Sequence, residues 1–345
     1  MGYLTDTERD ARLAKLHTIM DAKSLDAALV YYDEFNIGNG WYLTGWCPQF
    51  ESGAVLVPKT GKPMLLGGPE SEPFAKLDSA IKETRNFPVF MVPDEEYPNA
   101  VIIDFPKLFT ELTATSGRIT RVGIVGGGRM PAACYAQIVD GFRGVELVDI
   151  TEDFVGLRYN KSAWELEQIR AAFALADHCY DAMKKAIVPG ASEIEVAAAG
   201  EYAARSRGAT GFGFSAIVGS GARSNAVVPT ASSKKLQPGE LVMIGIAPKV
   251  QGYAGVVGDQ APVSGEYTAD QQECLNHLKE VMRLTKEQLI PGKTGREIDA
   301  PGREYYEKHG LLKYPKWNGA RIETGYEITE KGAVPFSPKM DRIFA

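Results

Sequence analysis

The sequence predicts an α/β (α+β) protein of two domains, residues 1–155 and 156–345, on three observations. At 345 residues the chain is longer than one hydrophobic core ordinarily serves. Its first half alternates short apolar runs with helical patterns, as layered α/β domains do. Its second half repeats itself: Ile187-Val188-Pro189-Gly190-Ala191-Ser192-Glu193-Ile194-Glu195 is echoed by Leu289-Ile290-Pro291-Gly292-Lys293-Thr294-Gly295-Arg296-Glu297. In each copy a helix ends at Pro-Gly, and a Ser or Thr with Glu three residues later caps the next helix. Two copies of helix, turn and helix, each followed by strands, predict a pseudo-twofold unit.

Residues 7–22 predict a helix with Leu13, Leu16, His17 and Met20 on one face. Ala27–Tyr32, Trp41–Gly45, Gly53–Pro58 and Pro63–Gly67 read as strands, and 103–114 as a helix. Arg121–Val125 is a short buried strand that ends in Gly126-Gly127-Gly128. A dinucleotide cradle needs G-x-G-x-x-G and an acidic ribose partner; the spacing here is wrong, so this is a strand-to-helix turn. At 157 the character changes. Ser162 and Glu165 have capping-box spacing, and Leu166, Ile169, Phe173, Ala176 and Tyr180 form one stripe of the helix they open.

A net charge of −6 leaves no electrostatic footprint for nucleic acid or an anionic membrane. Cys47, Cys134, Cys179 and Cys274 are scattered, which excludes a zinc knuckle and a C-x-x-C redox pair. The charged N-terminal stretch lacks a signal-peptide core, and no run is long enough to span a membrane, so a cytoplasmic location is expected.

The segment Gly239–Gly265 reads as two strands joined by a tight turn. With Leu25-Asp26-Ala27, Trp41–Gly45, Leu157–Glu165 and the Arg321-Ile322-Glu323 strand, it resembles the creatinase/aminopeptidase P/prolidase superfamily, the M24-like pita-bread proteins. The resemblance implies a creatinase-type N-terminal domain, a pita-bread domain, and a homodimer in which one subunit closes over its neighbour's site. It also implies five metal ligands. Two of these are aspartates, and their positions here hold Gly245 and Val256, which offer no side-chain oxygen. A histidine and a glutamate belong to a segment that is missing near Tyr314–Lys316, either deleted or omitted from the numbered chain; only the last glutamate has a counterpart, Glu323. The family's substrate-handling histidine is replaced too, at Val228 or Pro229. No metal and no cofactor are therefore expected.

What remains polar is the candidate site. Glu323, Asp259 and Tyr253 are the candidate catalytic groups; Arg223, Asn225, Gln260, Arg321 and Tyr326 are the candidate substrate-binding groups. Arg321 and Glu323 share one face of an alternating strand, as a substrate-orienting pair or a structural ion pair would. Arg223 could clamp a carboxylate or be merely solvated. Asp259 stands where many relatives carry Arg, and that inversion would favour a cationic substrate. Tyr42, Trp46 and Tyr253 could line a pocket for such a cation or pack in a core. The four histidines have no metal-motif spacing. The expected function is metal-independent, creatinase-like C–N bond hydrolysis, or a related lyase reaction, on a small polar or cationic molecule. A pseudoenzyme that binds a small molecule or peptide, and an X-Pro aminopeptidase or dipeptidase, are the alternatives.

Overall fold

The computed structural model describes residues 4–93, 97–312 and 319–345. The expected gap near Tyr314–Lys316 lies outside the described residues. The chain forms two compact units, Met1–Ser162 and Ala163–Ala345.

The first unit runs α1 (Asp6–Ala22), β1 (Ala27–Tyr32), α2 (Gly38–Thr44), β2 (Gly53–Pro58), β3 (Met64–Gly67), α3 (Glu72–Asp78), β4 (Thr84–Asn86), α4 (Phe105–Ser116), β5 (Arg121–Val125), α5 (Ala132–Gly141), β6 (Glu146–Asp149) and α6 (Thr151–Gly156). Its sheet has the order β4-β3-β2-β1-β5-β6, with β1 antiparallel to β2 and parallel to β5. Every residue of β1 is buried, because both sheet faces are covered, which is why AALVYY reads as an unbroken apolar run. Leu29 and Tyr31 face a cluster containing Phe87, Phe105 and Phe142, while Val30 and Tyr32 face Leu16, Leu43 and Phe154.

The segment Trp41–Gly45 is not a strand. It ends α2, and Gly45 closes that helix in the left-handed conformation at φ 63°. The helix packs closely on β1: Gly40 lies against the Tyr32 ring, where a Cβ would come within 2.1 Å of it. On α1, Leu16 and Met20 are buried but Leu13 and His17 only partly so, and Arg12 fills the core side instead. Its guanidinium donates to the Tyr42 carbonyl at 2.7 Å, pairs with Glu8 and lies over the Tyr42 ring. The Tyr42 ring also packs edge-on against Phe154, so it is a core residue. The Gly126 turn, at φ 80°, donates its N–H to Thr151 and is an ordinary strand exit. The first unit runs past residue 155 because Ser162 still donates to Glu8 at 2.8 Å.

The second unit runs α7 (Ala163–Ala186), α8 (Glu193–Arg205), β7 (Gly211–Phe212), β8 (Ile217–Ser220), β9 (Leu241–Ile246), β10 (Pro248–Val250), β11 (Tyr253–Ala254), β12 (Val257–Pro262), α9 (Ala269–Glu287), α10 (Gly295–Lys308), β13 (Tyr326–Thr329), β14 (Gly332–Pro335) and α11 (Pro338–Phe344). The repeat has the expected local form. Gly190 and Gly292 both take positive φ (83° and 88°), and Ser192/Glu195 and Thr294/Glu297 both complete capping boxes. Antiparallel β12-β9-β8 packs against α7 and α8, with Phe173, Ala176, Tyr180 and Met183 of α7 in the core. The sheet carries the second unit's candidate site.

Candidate active site

The floor of the site is a pair of glycines. In the register of β9 and β12, Gly245 stands directly opposite Gly258, and Ile217 of β8 flanks Gly245 on its other side. The next strand-like segment is joined to β12 by two backbone hydrogen bonds: Gly258 N–H donates to Glu323 O at 3.0 Å, and Glu323 N–H donates to Gly258 O at 2.9 Å. Alternation then puts Arg321 and Glu323 on the glycine side. The Arg321 stem crosses Gly258, and its Nη1 lies 3.1 Å from where a Cβ on Gly245 would sit.

Three contacts hold that arginine. Its backbone N–H donates to Gln260 Oε1 at 2.7 Å, Nη2 donates to the Val227 carbonyl at 3.1 Å, and Nη1 lies 3.3 Å from Glu323 Oε2. Asn225 belongs to the same neighbourhood, accepting from Gly319 N–H at 2.7 Å. Val227, whose carbonyl takes Nη2, and the next residue, Val228, are apolar and exposed. Four of the eight expected residues, Arg321, Glu323, Gln260 and Asn225, thus come together.

The other four are placed elsewhere. Asp259 alternates to the opposite face of β12, 3% exposed, where Tyr180 donates to it at 2.8 Å and Lys184 lies at 3.4 Å. Burial raises its pKa despite the neighbouring Lys184 and the Tyr180 hydroxyl. Its charge faces helix α7 and cannot select a cationic substrate beside Glu323. Arg223 is no free clamp: Nε pairs with Glu193 at 2.9 Å and Nη2 donates to Thr230 O. Glu193 is fully buried and also accepts from Ser220 and Ser232. Burial alone would raise the Glu193 pKa, but the bonds from Ser232, Ser220 and Arg223 lower it. Tyr253 donates to Glu165 at 2.8 Å and packs edge-on against Trp164, which pins β11 to the start of α7. Tyr326 donates to Asp341 at 2.7 Å, with Lys286 on the same carboxylate.

Sequence reasoning missed Gly258 and Val227. A glycine inside a buried strand signals close approach of another group, and Gly258 lies where the hairpin register sets it opposite Gly245. Val227 contributes through its carbonyl, which leaves no side-chain signal.

A divalent ion does not fit this donor set. Gly245 and Val256 provide no side-chain oxygen, and the guanidinium stands over Gly245. Among the described residues, no group of three or more His, Cys, Asp or Glu could hold a metal ion. Nor, among them, is any helix long and apolar enough to cross a membrane.

Comparison with known proteins places the whole arrangement. The model of the creatinase/prolidase N-terminal domain matches residues 12–159, and that of metallopeptidase family M24 matches 167–343. A Xaa-Pro dipeptidase of Pyrococcus horikoshii is 28% identical over 303 residues, covering 88% of this chain and 78% of the relative. An uncharacterized peptidase of Bacillus subtilis is 30% identical over 202 residues, 59% of this chain and 57% of that protein, so the match spans less than two thirds of the relative. The crystal structure of the Pyrococcus horikoshii prolidase shares the fold, with TM-score 0.73 and 22% identity over 94% of this chain and 87% of that one. With both of its units matched in order, the chain belongs to metallopeptidase family M24, in the creatinase, aminopeptidase P and prolidase superfamily.

Proposed function

We propose that this chain acts on a small molecule with an amide or peptide bond and a free carboxylate, X-Pro dipeptides being the first class to test. The observation that carries this reading is the Xaa-Pro dipeptidase similarity along 88% of the chain. It favours peptide-bond hydrolysis over the creatinase-like reaction that the lost aspartates suggest. Arg321 would orient the substrate, and Glu323 would position or deprotonate a water. Incubation with glycyl-proline and a panel of X-Pro dipeptides, with chelator and with added Mn²⁺ or Co²⁺, tests it. Release of free proline supports the reading; a panel left intact under every condition removes it.

A second reading, metal-independent C–N bond hydrolysis, is favoured by the guanidinium over Gly245. Turnover unaffected by chelator is its signature, and turnover that requires added metal eliminates it. A homodimer is the expected assembly, and a monomeric mass by light scattering would contradict it.

A further inference from the structure

We propose that Arg321 is the resident cation of this site, standing where the family's metal would stand, and that it binds the carboxylate of a small molecule with a compact apolar body. The cation assignment stands alone; the choice of a peptide-like carboxylate rests on the proposed function.

Two glycines make the trough in which the arginine lies. A Cβ at 258 would come within 2.7 Å of Arg321 Cδ and 3.2 Å of both Arg321 Cγ and Glu323 Cβ; one at 245 would meet Nη1 at 3.1 Å. Glycine in a strand interior forfeits packing and costs conformational entropy, so a cross-strand pair calls for a group that approaches closely. Here that group is a guanidinium. It supplies permanent positive charge above the sheet, and Glu323 is the one carboxylate within ion-pair distance of it among the described residues.

The guanidinium is anchored but not saturated. Nη2 is fixed on the Val227 carbonyl, whereas Nη1 is only 3.3 Å from a Glu323 carboxylate that is 40% exposed. Nε makes no hydrogen bond among the described residues. An incoming carboxylate can therefore displace Glu323 from the fork and take two N–H donors in its place, one charge exchanged for another. Val227, whose carbonyl holds Nη2, is an exposed apolar residue beside this fork and suits an apolar body such as a pyrrolidine ring.

Isothermal titration on the full chain tests both parts. The probes are Mn²⁺, glycyl-proline and glycyl-prolinamide, which lacks the carboxylate. We expect no Mn²⁺ binding at micromolar concentration and at least about tenfold tighter binding of the acid than of the amide. Arg321→Gln should abolish that difference, and Gly258→Thr, which crowds the arginine stem, should shrink it. Glu323→Gln, which removes the competing charge, should tighten the acid several-fold. Stoichiometric micromolar Mn²⁺ binding by the unaltered chain overturns the cation assignment. Equal affinity for acid and amide, or no binding of either, overturns the carboxylate assignment, and neither result depends on a variant that must fold. Acid-selective binding without proline release leaves this inference standing and removes the peptidase reading; release that needs Mn²⁺ does the reverse.

Discussion

The two halves of the repeat use one local code and reach different degrees of burial. Pro-Gly at positive φ and a capping box end one helix and start the next in both copies. Yet α7 buries Ala172, Phe173, Leu175, Ala176, Cys179, Tyr180 and Met183 against β12-β9-β8, whereas α9 has no fully buried residue and α10 only Gly302. The second pair has the β13–β14 hairpin in sequence after it rather than three strands. Helix ends are thus set by a few residues, but helix stability comes from the sheet available to cover the apolar face. Gly255, which fits the first half's strands to its helix, and Gly302, between the second pair of helices, mark the extremes.

Gly255→Ala is expected to have the largest effect. A Cβ there would meet Ala172 C and Phe173 N, both at 2.3 Å, and a backbone in a packed core cannot step aside as a flexible side chain can. A loss of roughly 3 kcal/mol follows, at the upper end for overpacking. Urea unfolding measures it; a loss under about 1 kcal/mol would mean that the first half is far less tightly packed.

Glu193 sharpens the comparison, because the corresponding position of the second copy is Gly295, which has open space around it. The folded-state pKa of Glu193 is lowered, so its contribution is present above its unfolded value near 4.5 and is lost as pH falls through the folded value. Glu193→Gln should therefore destabilise at pH 7, by about 1–2 kcal/mol because the Arg223 partner is half exposed, and flatten the acid limb of stability. Parallel pH-stability curves for variant and parent would contradict this. Burial at Met183→Ala should cost about 3 kcal/mol, against about 1 kcal/mol at the partly buried Met282 of α9, by the same urea measurement.

The capping boxes should behave alike despite these contrasts. Ser192→Ala and Thr294→Ala should each cost about 1 kcal/mol, because each removes one side-chain acceptor from a backbone N–H. Costs that differ by more than a factor of two would show that the cap depends on the sheet beneath it.

Such local features are the part of the fold that was legible in the sequence. Pro189-Gly190 and Ser192-x-x-Glu195 act within a few residues, so spacing alone reveals them. The continuous apolar β1 was legible for the same reason. Trp41–Gly45 was not: it closes a helix that packs on β1, where Gly40 meets the Tyr32 ring of another element. At the site, Arg321 and Glu323 could be read from alternation along one strand. Asp259 could not: the same alternation turns it toward α7, and only the three-dimensional sheet shows that Tyr180 and Lys184 wait there. Arg223 was hidden by Glu193, thirty residues earlier in the chain.

Gly302→Ala should have the smallest effect, and of opposite sign to that of Gly255→Ala. Gly302 sits inside α10, where alanine is favoured over glycine by roughly 1 kcal/mol. The added Cβ would meet Val281 Cγ1 at 3.0 Å and Thr285 Oγ1 at 3.5 Å, both ends of side chains. The Val281 side chain is only partly buried and can give by a few tenths of an ångström. Helix propensity then outweighs crowding, and the variant should be unchanged or up to about 0.5 kcal/mol more stable in urea. A loss above about 1 kcal/mol would mean that α9 and α10 are held in place as rigidly as the strands beside α7, and the contrast between the two halves would be one of exposure alone.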